Sequence, residues 1–361
     1  MILKIFDRFK VRQVEFFSDF NLSLNYDAFG SAFSFSFYFD PNNPEHKELA
    51  CVTHYHDCVV EHNGETLVSG FAISQGFTYR SEKTLATISG YSKPGIFEDC
   101  NIPPSVYPLQ SDGLNLIQIA EKITAPWNNS TKYKIGLNVD QDVQELVSKS
   151  LKSSTASETD TIAGYLRTLA QQKKVIISHD EHGSLLFTQA KTDKDPILSF
   201  DYTQGMVPGT DFALNFNGQG VHSHITVMKQ ASSDGGNAGE ITVENPYCPV
   251  FYRPKTVTQS SGDDIDTNEV ALRELATEWE NLQLTVTTDR WEIDGKIIKP
   301  NNMIEIIAPE LYLYTKSKWF IRSIDFVGDS EKTTATLNCV IPEVVNNKMA
   351  RSIFEGLNMH P

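Results

Sequence analysis

Phenylalanine recurs at every second position from Phe33 to Phe39, with Ser34, Ser36 and Tyr38 between, and a period of two places all four rings on one face of a strand. Such a face must be buried, so Ser31 to Phe39 is read as a core strand. The run Asp40-Pro41-Asn42-Asn43-Pro44 breaks it. A long hairpin follows, with one extended run over about Ala50 to His62 and the other over Thr66 to Ser74. Asn63-Gly64 between them supplies the positive φ angles of a tight primed turn.

From Ser111 the period changes. Leu116, Ile117, Ala120 and Ile123 recur at helical spacing, and Pro126 is expected to end that helix. A second amphipathic helix is predicted over Thr161 to Gln172, with Thr159 or Asp160 as N-cap and Ile162, Leu166, Leu169 and Ala170 on one face. Asp140 to Leu151 is a further helical candidate. Val175-Ile176-Ile177 and Leu185-Leu186-Phe187 flank the polar turn His179 to Ser184, which makes residues 111 to 190 a small α/β unit of helices and a hairpin.

Strand-like runs dominate afterwards, at Ala213 to Phe216, His222 to Met228, Ile304 to Ile307 and Trp319 to Phe326. One helix interrupts them, Asn268 to Leu282, with Ala271, Leu272, Leu275, Trp279 and Leu282 along one stripe. Ser232 to Asn237 and Ser260 to Asp264 read as exposed loops. The most informative local pattern is an echo. Ser81-Glu82-Lys83-Thr84-Leu85-Ala86-Thr87-Ile88 returns as Ser330-Glu331-Lys332-Thr333-Thr334-Ala335-Thr336-Leu337, each time after an extended run with aromatic residues. A strand, a polar turn and a returning strand account for both, and imply two copies of one β-module.

Composition narrows the function classes. The chain has 361 residues, enough for two or three domains, and 46 acidic against 31 basic residues give a net charge of −15. That charge is repelled by phosphate backbones and anionic membranes, so specific nucleic-acid binding is not expected. No apolar leader pattern and no run of about 18 apolar residues occurs, so folding in a cytosol and no membrane partner are expected. Cys51, Cys58, Cys100, Cys248 and Cys339 form an odd, scattered set unlike a disulfide framework or a zinc ribbon, and read as free thiols.

Candidate chemistry is sparse. If Cys51 to Cys58 is extended, His54, His56 and Cys58 share one strand face, but side chains two apart on a strand lie about 7 Å from each other, wide for ligands with bonds near 2.1 Å. A half-exposed polar strand explains them better. His179 and His182 fall on the predicted hairpin turn and His222 and His224 flank a serine, all readable as solvated positions. Nucleophile elbows, zincin helices, phosphate loops and dinucleotide fingerprints are absent, and the Gly218-Gln219-Gly220 and Gly235-Gly236 pairs read as turns. The expectation is therefore no catalytic, cofactor-binding or metal-binding residue.

The ordered features resemble the Mu-type baseplate hub family of contractile-tailed phages. They run from the Asn63-Gly64-Glu65 hairpin and Ser69-Gly70, through Gly90-Tyr91-Ser92 and Gly95-Ile96-Phe97-Glu98-Asp99-Cys100, to Ala125-Pro126-Trp127. They continue with Glu158-Thr159, Leu166, Leu169, Ala170, Asp180 and Gly183. Tyr252-Arg253-Pro254, Trp279-Glu280, Trp291, Asp294-Gly295, Pro300-Asn301 and Pro309 complete the series. Ile298, where an aromatic is more usual, and a longer Val139 to Glu158 connection depart from the pattern.

The resemblance implies a β-dominated α+β chain with two tube-like β-barrel modules and a small α/β unit. It divides the sequence as 1–105 (first module), 106–200 (α/β unit), 201–345 (second module with one covering helix) and 346–361 (C-terminal extension), with parts free to pack discontinuously. It implies a homotrimer, structural and not enzymatic, joining a six-fold tail tube to a three-fold spike in a virion baseplate assembled in the bacterial cytoplasm. Partners would be the tube ring, the spike, other baseplate subunits and DNA passing without specific binding; a tailocin-like particle would use the same hub. The competing reading is a tail-associated hydrolase of cell-wall or surface glycan, for which the α/β unit is short. A carbohydrate-binding β-protein is the third, against which the Phe alternation argues for core.

Overall fold

The computed structural model describes residues 1–350 apart from 7–10, 15–16, 81–82, 108–112, 152–154, 204, 206–207, 230–238, 249–250, 260–265, 294 and 330. The chain is β-dominated and divides into two compact units. Unit 1 comprises Met1–Gln189, Thr288–Pro300 and Ser323–Thr336; unit 2 comprises Ala190–Thr287, Asn301–Arg322 and Leu337–Pro361.

Unit 1 begins with β1 (Ile2–Phe6), β2 (Val11–Val14), β3 (Asp19–Asn25) and β4 (Ala32–Tyr38), then α1 (Pro44–Leu49). The long strands β5 (His56–His62), β6 (Glu65–Arg80) and β7 (Lys83–Ser92) follow. Antiparallel pairing orders them β3-β4-β7-β6-β5-β1-β2. Phe33, Phe35 and Phe37 of the expected Phe face are buried in the core of this sheet, whereas Phe39 lies past the end of β4 and is half-buried. Phe20 and Phe35 are cross-strand partners with rings stacked at 5.9 Å, Leu22 pairs with Phe33, and Phe37 sits opposite Ala86. At about 25 cal/mol per Å2 of apolar surface removed from water, each fully buried ring stabilises by roughly 1.5–3 kcal/mol.

Asn63 and Gly64, at φ 49° and 80°, make the β5–β6 turn as the sequence predicts. The flanking strands differ from expectation. The first run is extended only from His56, because Pro44 opens a short helix instead of marking a mere break: Pro occupies its first turn, and the Asn43 side chain accepts from Glu45 N at 2.9 Å. Thr53, at φ 72°, lies in the loop that follows. The second run passes Ser74 and continues to Arg80.

The α/β part of unit 1 holds α2 (Ile96–Asp99), α3 (Leu116–Ser130), α4 (Gln144–Ser148) and α5 (Ile162–Gln172) around β8 (Leu137–Val139), β9 (Ile176–His179) and β10 (Leu185–Thr188). β10 pairs parallel with β8 and antiparallel with β9. Ile119, Ile123, Leu166, Leu169, Ile177 and Phe187 form part of one buried cluster, which absorbs the faces of both predicted helices. Two boundaries move. Asn115 and Gln118 form a capping box at the start of α3, and Pro126 does not end it. Trp127 packs against Phe97 and Phe71 at 6.4 Å, and the Ser130 hydroxyl donates to Pro126 O, holding the last turn despite the missing proline N–H. The cap of α5 is Thr161, whose Oγ1 accepts from Gly164 N at 3.0 Å, rather than Thr159 or Asp160. The Asp140 to Leu151 candidate shrinks to a 3-10 turn and the five residues of α4.

Unit 2 contains β11 (Leu198–Asp201), β12 (Thr210–Phe216), β13 (His224–Lys229), β14 (Glu240–Glu244), β15 (Pro254–Gln259), α6 (Thr267–Glu278) and β16 (Leu282–Thr288), the last residue of which falls in unit 1. The ribbon β17 (Glu292–Ile293) with β18 (Lys296–Ile297) belongs to unit 1. β19 (Asn302–Ala308), β20 (Leu313–Asp329), β21 (Thr333–Val340) and α7 (Pro342–Asn346) close the described chain. β20 is extended over 17 residues; Leu313–Ile321 pairs with β19, and Ser323–Asp329 with β3 in unit 1. β13 lies between β14 and β15, and its Ile225 and Val227 pack on Val270, Ala271 and Leu275 of α6. That helix stops before Leu282, because a 3-10 turn over Trp279–Asn281 delivers Leu282 into β16. The loops expected at 232–237 and 260–264 lie outside the described residues.

Of the echoed residues, Ser81, Glu82 and Ser330 lie outside the described residues, and the rest fall in unit 1 except Leu337, instead of one copy in each unit; both copies still begin a returning strand. Lys83 to Ile88 starts β7, which returns along the 16-residue β6, and Thr333 to Leu337 starts β21, which returns along β20. Each returning strand is followed by a short helical turn with proline in its first positions, Pro94 and Pro342.

Two glycines set the neck of the β6–β7 hairpin. A Cβ on Gly90 would strike the carbonyl oxygen of Phe71 and lie 2.8 Å from the Phe33 ring, and one on Gly70 would strike the Tyr91 carbonyl. Gly90→Ala is expected to destabilise unit 1 by about 3 kcal/mol in denaturant unfolding, through overpacking against backbone that cannot yield. Gly76→Ala, whose nearest contact would be Thr87 Cβ at 3.9 Å, is expected to stay within about 0.5 kcal/mol of the parent.

Candidate assembly interface

The histidines and cysteines singled out in the sequence go to separate places. His54 is exposed in the loop before β5, so the strand face shared by His54, His56 and Cys58 does not form. His56 and Cys58 are buried in the strand, and burial pushes the Cys58 thiol far above its ordinary pKa. Among the described residues, no group of three or more His, Cys, Asp or Glu side chains is placed to hold a metal ion. The five cysteines are free thiols.

His179 is not a solvated turn residue. It ends β9 half-buried, with Nδ1 3.0 Å from Ala28 O and Nε2 2.8 Å from Ser31 Oγ. Ser31 Oγ also accepts from Asn25 N, and Ser31 N donates to Ser92 Oγ. A neutral ring that donates from Nδ1 and accepts at Nε2 satisfies this network, which fastens the α/β hairpin to the β3–β4 connection. Burial lowers the His179 pKa, against smaller opposing effects of the Ala28 carbonyl, Asp180 and Glu181. His182 stays exposed in the turn, where Asp180 Oδ1 accepts from His182 N and Ser184 N.

In unit 2 His222 donates from its backbone N to Glu278 Oε2 at 2.8 Å and sets Nδ1 2.7 Å from Oε1. Lys255 Nζ lies 3.3 Å from the same buried carboxylate, so α6 is pinned to the small sheet by a compensated charge. Gly218–Gly220 is a 3-10 turn, as its glycines suggest, and Arg253 clamps it by donating to Gly218 O and Gln219 O at 2.6 and 2.7 Å. Nothing in the sequence around Arg253 signals that clamp.

The arrangement that stands out is a free strand edge. β5 ends its pairing with β6 at His56–Ala72, yet β6 runs on to Arg80 with β7 along one side and no described strand along the other. On that side Gln75 Nε2 donates to His54 O at 2.9 Å. Beyond it Phe77 is 47% exposed and Tyr79 77% exposed, continuing the face of Phe37 and Ala86, with Phe77 edge-on to Phe39 at 5.0 Å. Lys83 lies over the exposed Tyr38 ring at 5.3 Å. Unpaired edges invite strand addition, and exposed aromatic rings are what protein interfaces enrich. The sequence carries the signal in the alternation Gln75, Phe77, Tyr79, beyond Ser74.

A second free edge belongs to unit 2, where β12 pairs with β16 and with no described strand on its outer side. Beside it is a cavity of about 320 Å3 lined by Tyr202, Thr210, Phe212, Ala308 and Leu311, with Asp211 and Glu310 exposed at its rim. Tyr202 and Phe212 meet edge to face at 4.7 Å. Next along the chain Tyr312 takes a left-handed φ of 61°, and its ring and that of Tyr314 are exposed, 6.2 Å apart. A bulky residue held there costs of order 1 kcal/mol or more.

With this geometry in hand, solved structures supply the comparison. The 43 kDa tail protein of prophage MuSo2 from Shewanella oneidensis is 20% identical, with a TM-score of 0.76 over 96% of this chain and 100% of that one. The chain has the fold of Mu-type prophage tail proteins. The tail protein of Neisseria meningitidis MC58 is similar at 15% identity and a TM-score of 0.76, over 96% and 98% of the two chains. A component of the Escherichia coli type VI secretion system, described as structurally similar to the phage T4 tail proteins gp27 and gp5, is similar at 10% identity and a TM-score of 0.54, over 98% of this chain and 79% of that one. No protein-family model and no curated protein sequence matches the chain.

The His179 joint has a testable pH signature. Its folded pKa lies below the unfolded value near 6.5, so the unfolded chain takes up the proton first and the stability carried by the neutral ring is lost as pH falls below about 6.5. His179→Asn is expected to be less stable than the parent at pH 7.5, and the gap in urea midpoint should narrow by pH 5. A gap independent of pH would contradict the neutral assignment.

Proposed function

We propose that the chain is a subunit of a trimeric baseplate hub in a contractile tail, adapting the six-fold tail tube to a three-fold central spike. The observation that carries this reading is the end-to-end likeness in fold to the MuSo2 tail protein, with 96% of one chain and all of the other covered. The division into two compact units supports a chain with two tube-like modules, and the long strand with a returning partner recurs in β6–β7 and β20–β21. Three copies would then present six similar edges upward while keeping three-fold symmetry below.

The chemistry agrees with a structural role. The clusters found are hydrogen-bonded joints, and the exposed features are strand edges and aromatic rings. A net charge of −15 disfavours adhesion of passing DNA wherever carboxylates face it within a Debye length of about 8 Å at physiological salt. The partners in this reading are two further copies, the tube ring, the spike and other baseplate subunits, in a virion tail.

The test is solution mass measurement of the full chain, followed by image reconstruction with its tube and spike proteins. A three-fold ring with a central opening is the expected result. A chain that stays monomeric alone and with both partners would remove the hub reading.

A further inference from the structure

We propose that the β19–β20 turn of one copy, with Glu310, Tyr312 and Tyr314, is covered in the ring by the β4–β5 connection, residues 39–55, of a second copy. The inference rests on the ring reading above and specifies one contact within it. Its basis is a contact that the chain already makes with itself.

The strand order β3-β4-β7-β6-β5 is matched by β12-β16-β21-β20-β19, and both sets are traversed in the same order along the chain. The β4–β5 connection therefore corresponds to residues 289–301 between β16 and β19, and the Asn63-Gly64 turn to the β19–β20 turn. A pair of ring contacts fixes the alignment. Phe77 and Phe326 each stand four residues before the echoed octapeptide, and each meets a ring of the corresponding connection edge-on, Phe39 at 5.0 Å and Trp291 at 6.0 Å.

In unit 1 the segment that carries β17 and β18 also grips the Asn63-Gly64 turn. Trp291 lies 4.6 Å from the His62 ring, Glu292 contacts His62 Nε2, and Lys299 Nζ is 2.7 Å from Glu65 Oε1, so both residues flanking the turn are held. The corresponding turn of unit 2 has its rings uncovered, with Tyr312 64% and Tyr314 49% exposed. The β4–β5 connection is uncovered as well, with Val52 56% and Tyr55 69% exposed. Each of these two surfaces holds a residue in the left-handed region that its side chain disfavours, Thr53 at φ 72° and Tyr312 at φ 61°. Such strain gathers at contact and switch sites. Lys47 of the connection and Glu310 of the turn, both exposed, offer the lysine-to-glutamate pairing that Lys299 and Glu65 make.

A second copy fits as the occupant because the cover is then the same kind of connection in both places. A heterologous contact of this sort closes a ring by rotation. Aromatic rings are what protein interfaces enrich, whereas a nucleic acid or an anionic membrane would meet Asp40, Glu45 and Glu310, exposed on the two surfaces.

The experiment uses the full-length chain carrying Tyr55→Cys, Tyr314→Cys and Cys51→Ser, brought to trimer alone or with tube and spike proteins and treated with a short bis-maleimide. The expected product is a covalent trimer on a denaturing gel, with a linked peptide that joins residue 55 of one copy to residue 314 of another. Tyr55→Cys or Tyr314→Cys alone should give no such peptide. Tyr312→Gly, which removes the ring and the strained φ together, is expected to leave the dilute chain as stable in urea while weakening trimer formation about ten-fold. Glu310→Lys should weaken it about three-fold, and Lys47→Glu in the same chain should restore it. Trimer without a link between residues 55 and 314 of different copies, a link confined to one chain, or a link from residue 314 to the tube or spike protein would overturn the contact and leave the hub reading standing. Failure to trimerise with tube and spike proteins would remove both.

Discussion

Two very long strands govern this protein, because every buried backbone N–H and C=O along them needs a partner. β20 meets the requirement inside its own chain: its leading half pairs with β19 and its trailing half with β3. β6 meets it only in part. Its leading half pairs with β5, and past Ala72 one side has no described strand. The same structural device, a strand longer than its neighbours followed by a returning strand and a proline-led turn, is therefore closed in one place and open in the other. The open one is where the aromatic rings reach the surface.

Around that device the packing of unit 1 is strict. Phe33, Phe35 and Phe37 lie across from Gly90, Ile88 and Ala86, so the strand that carries large rings faces one that makes room for them. Gly90 is the extreme case, because the Phe33 ring and the Phe71 carbonyl occupy the space a methyl group would need. The α/β part has its own apolar cluster and is also tied down by polar groups, with His179 bridging Ala28 and Ser31. Unit 2 repeats the principle with Glu278, a buried carboxylate satisfied by His222 and Lys255. In both units a titratable group, His179 in one and Glu278 in the other, serves as a hydrogen-bonded joint.

The similarity in fold to tail proteins at 15–20% identity fits such a design. Core positions of a β-sheet accept many apolar residues as long as the alternation and the volumes are kept, whereas positions that need glycine or a particular turn do not. The resemblance read from the sequence was carried by residues of the second kind, among them Asn63-Gly64 and Gly90.

The sequence by itself determined the periodic elements: the Phe strand, the Asn63-Gly64 turn, the apolar faces of α3 and α5, and the paired octapeptides at the starts of β7 and β21. These follow from local rules, since side-chain alternation, helical spacing and positive-φ turns act within a few residues. What only the tertiary structure decided lies where distant groups meet. Pro126 stays inside a helix because Trp127 finds Phe71 and Phe97; Pro44 starts a helix at what reads as a break; His179 is drawn in from the turn because Ala28 and Ser31 receive it. The free edge of β6 is of the same kind, because a strand's own residues state that it extends to Arg80 but cannot state where its neighbour β5 begins. Hydrogen bonding between strands is non-local, and its absence along an edge becomes visible only when all the neighbours are in place.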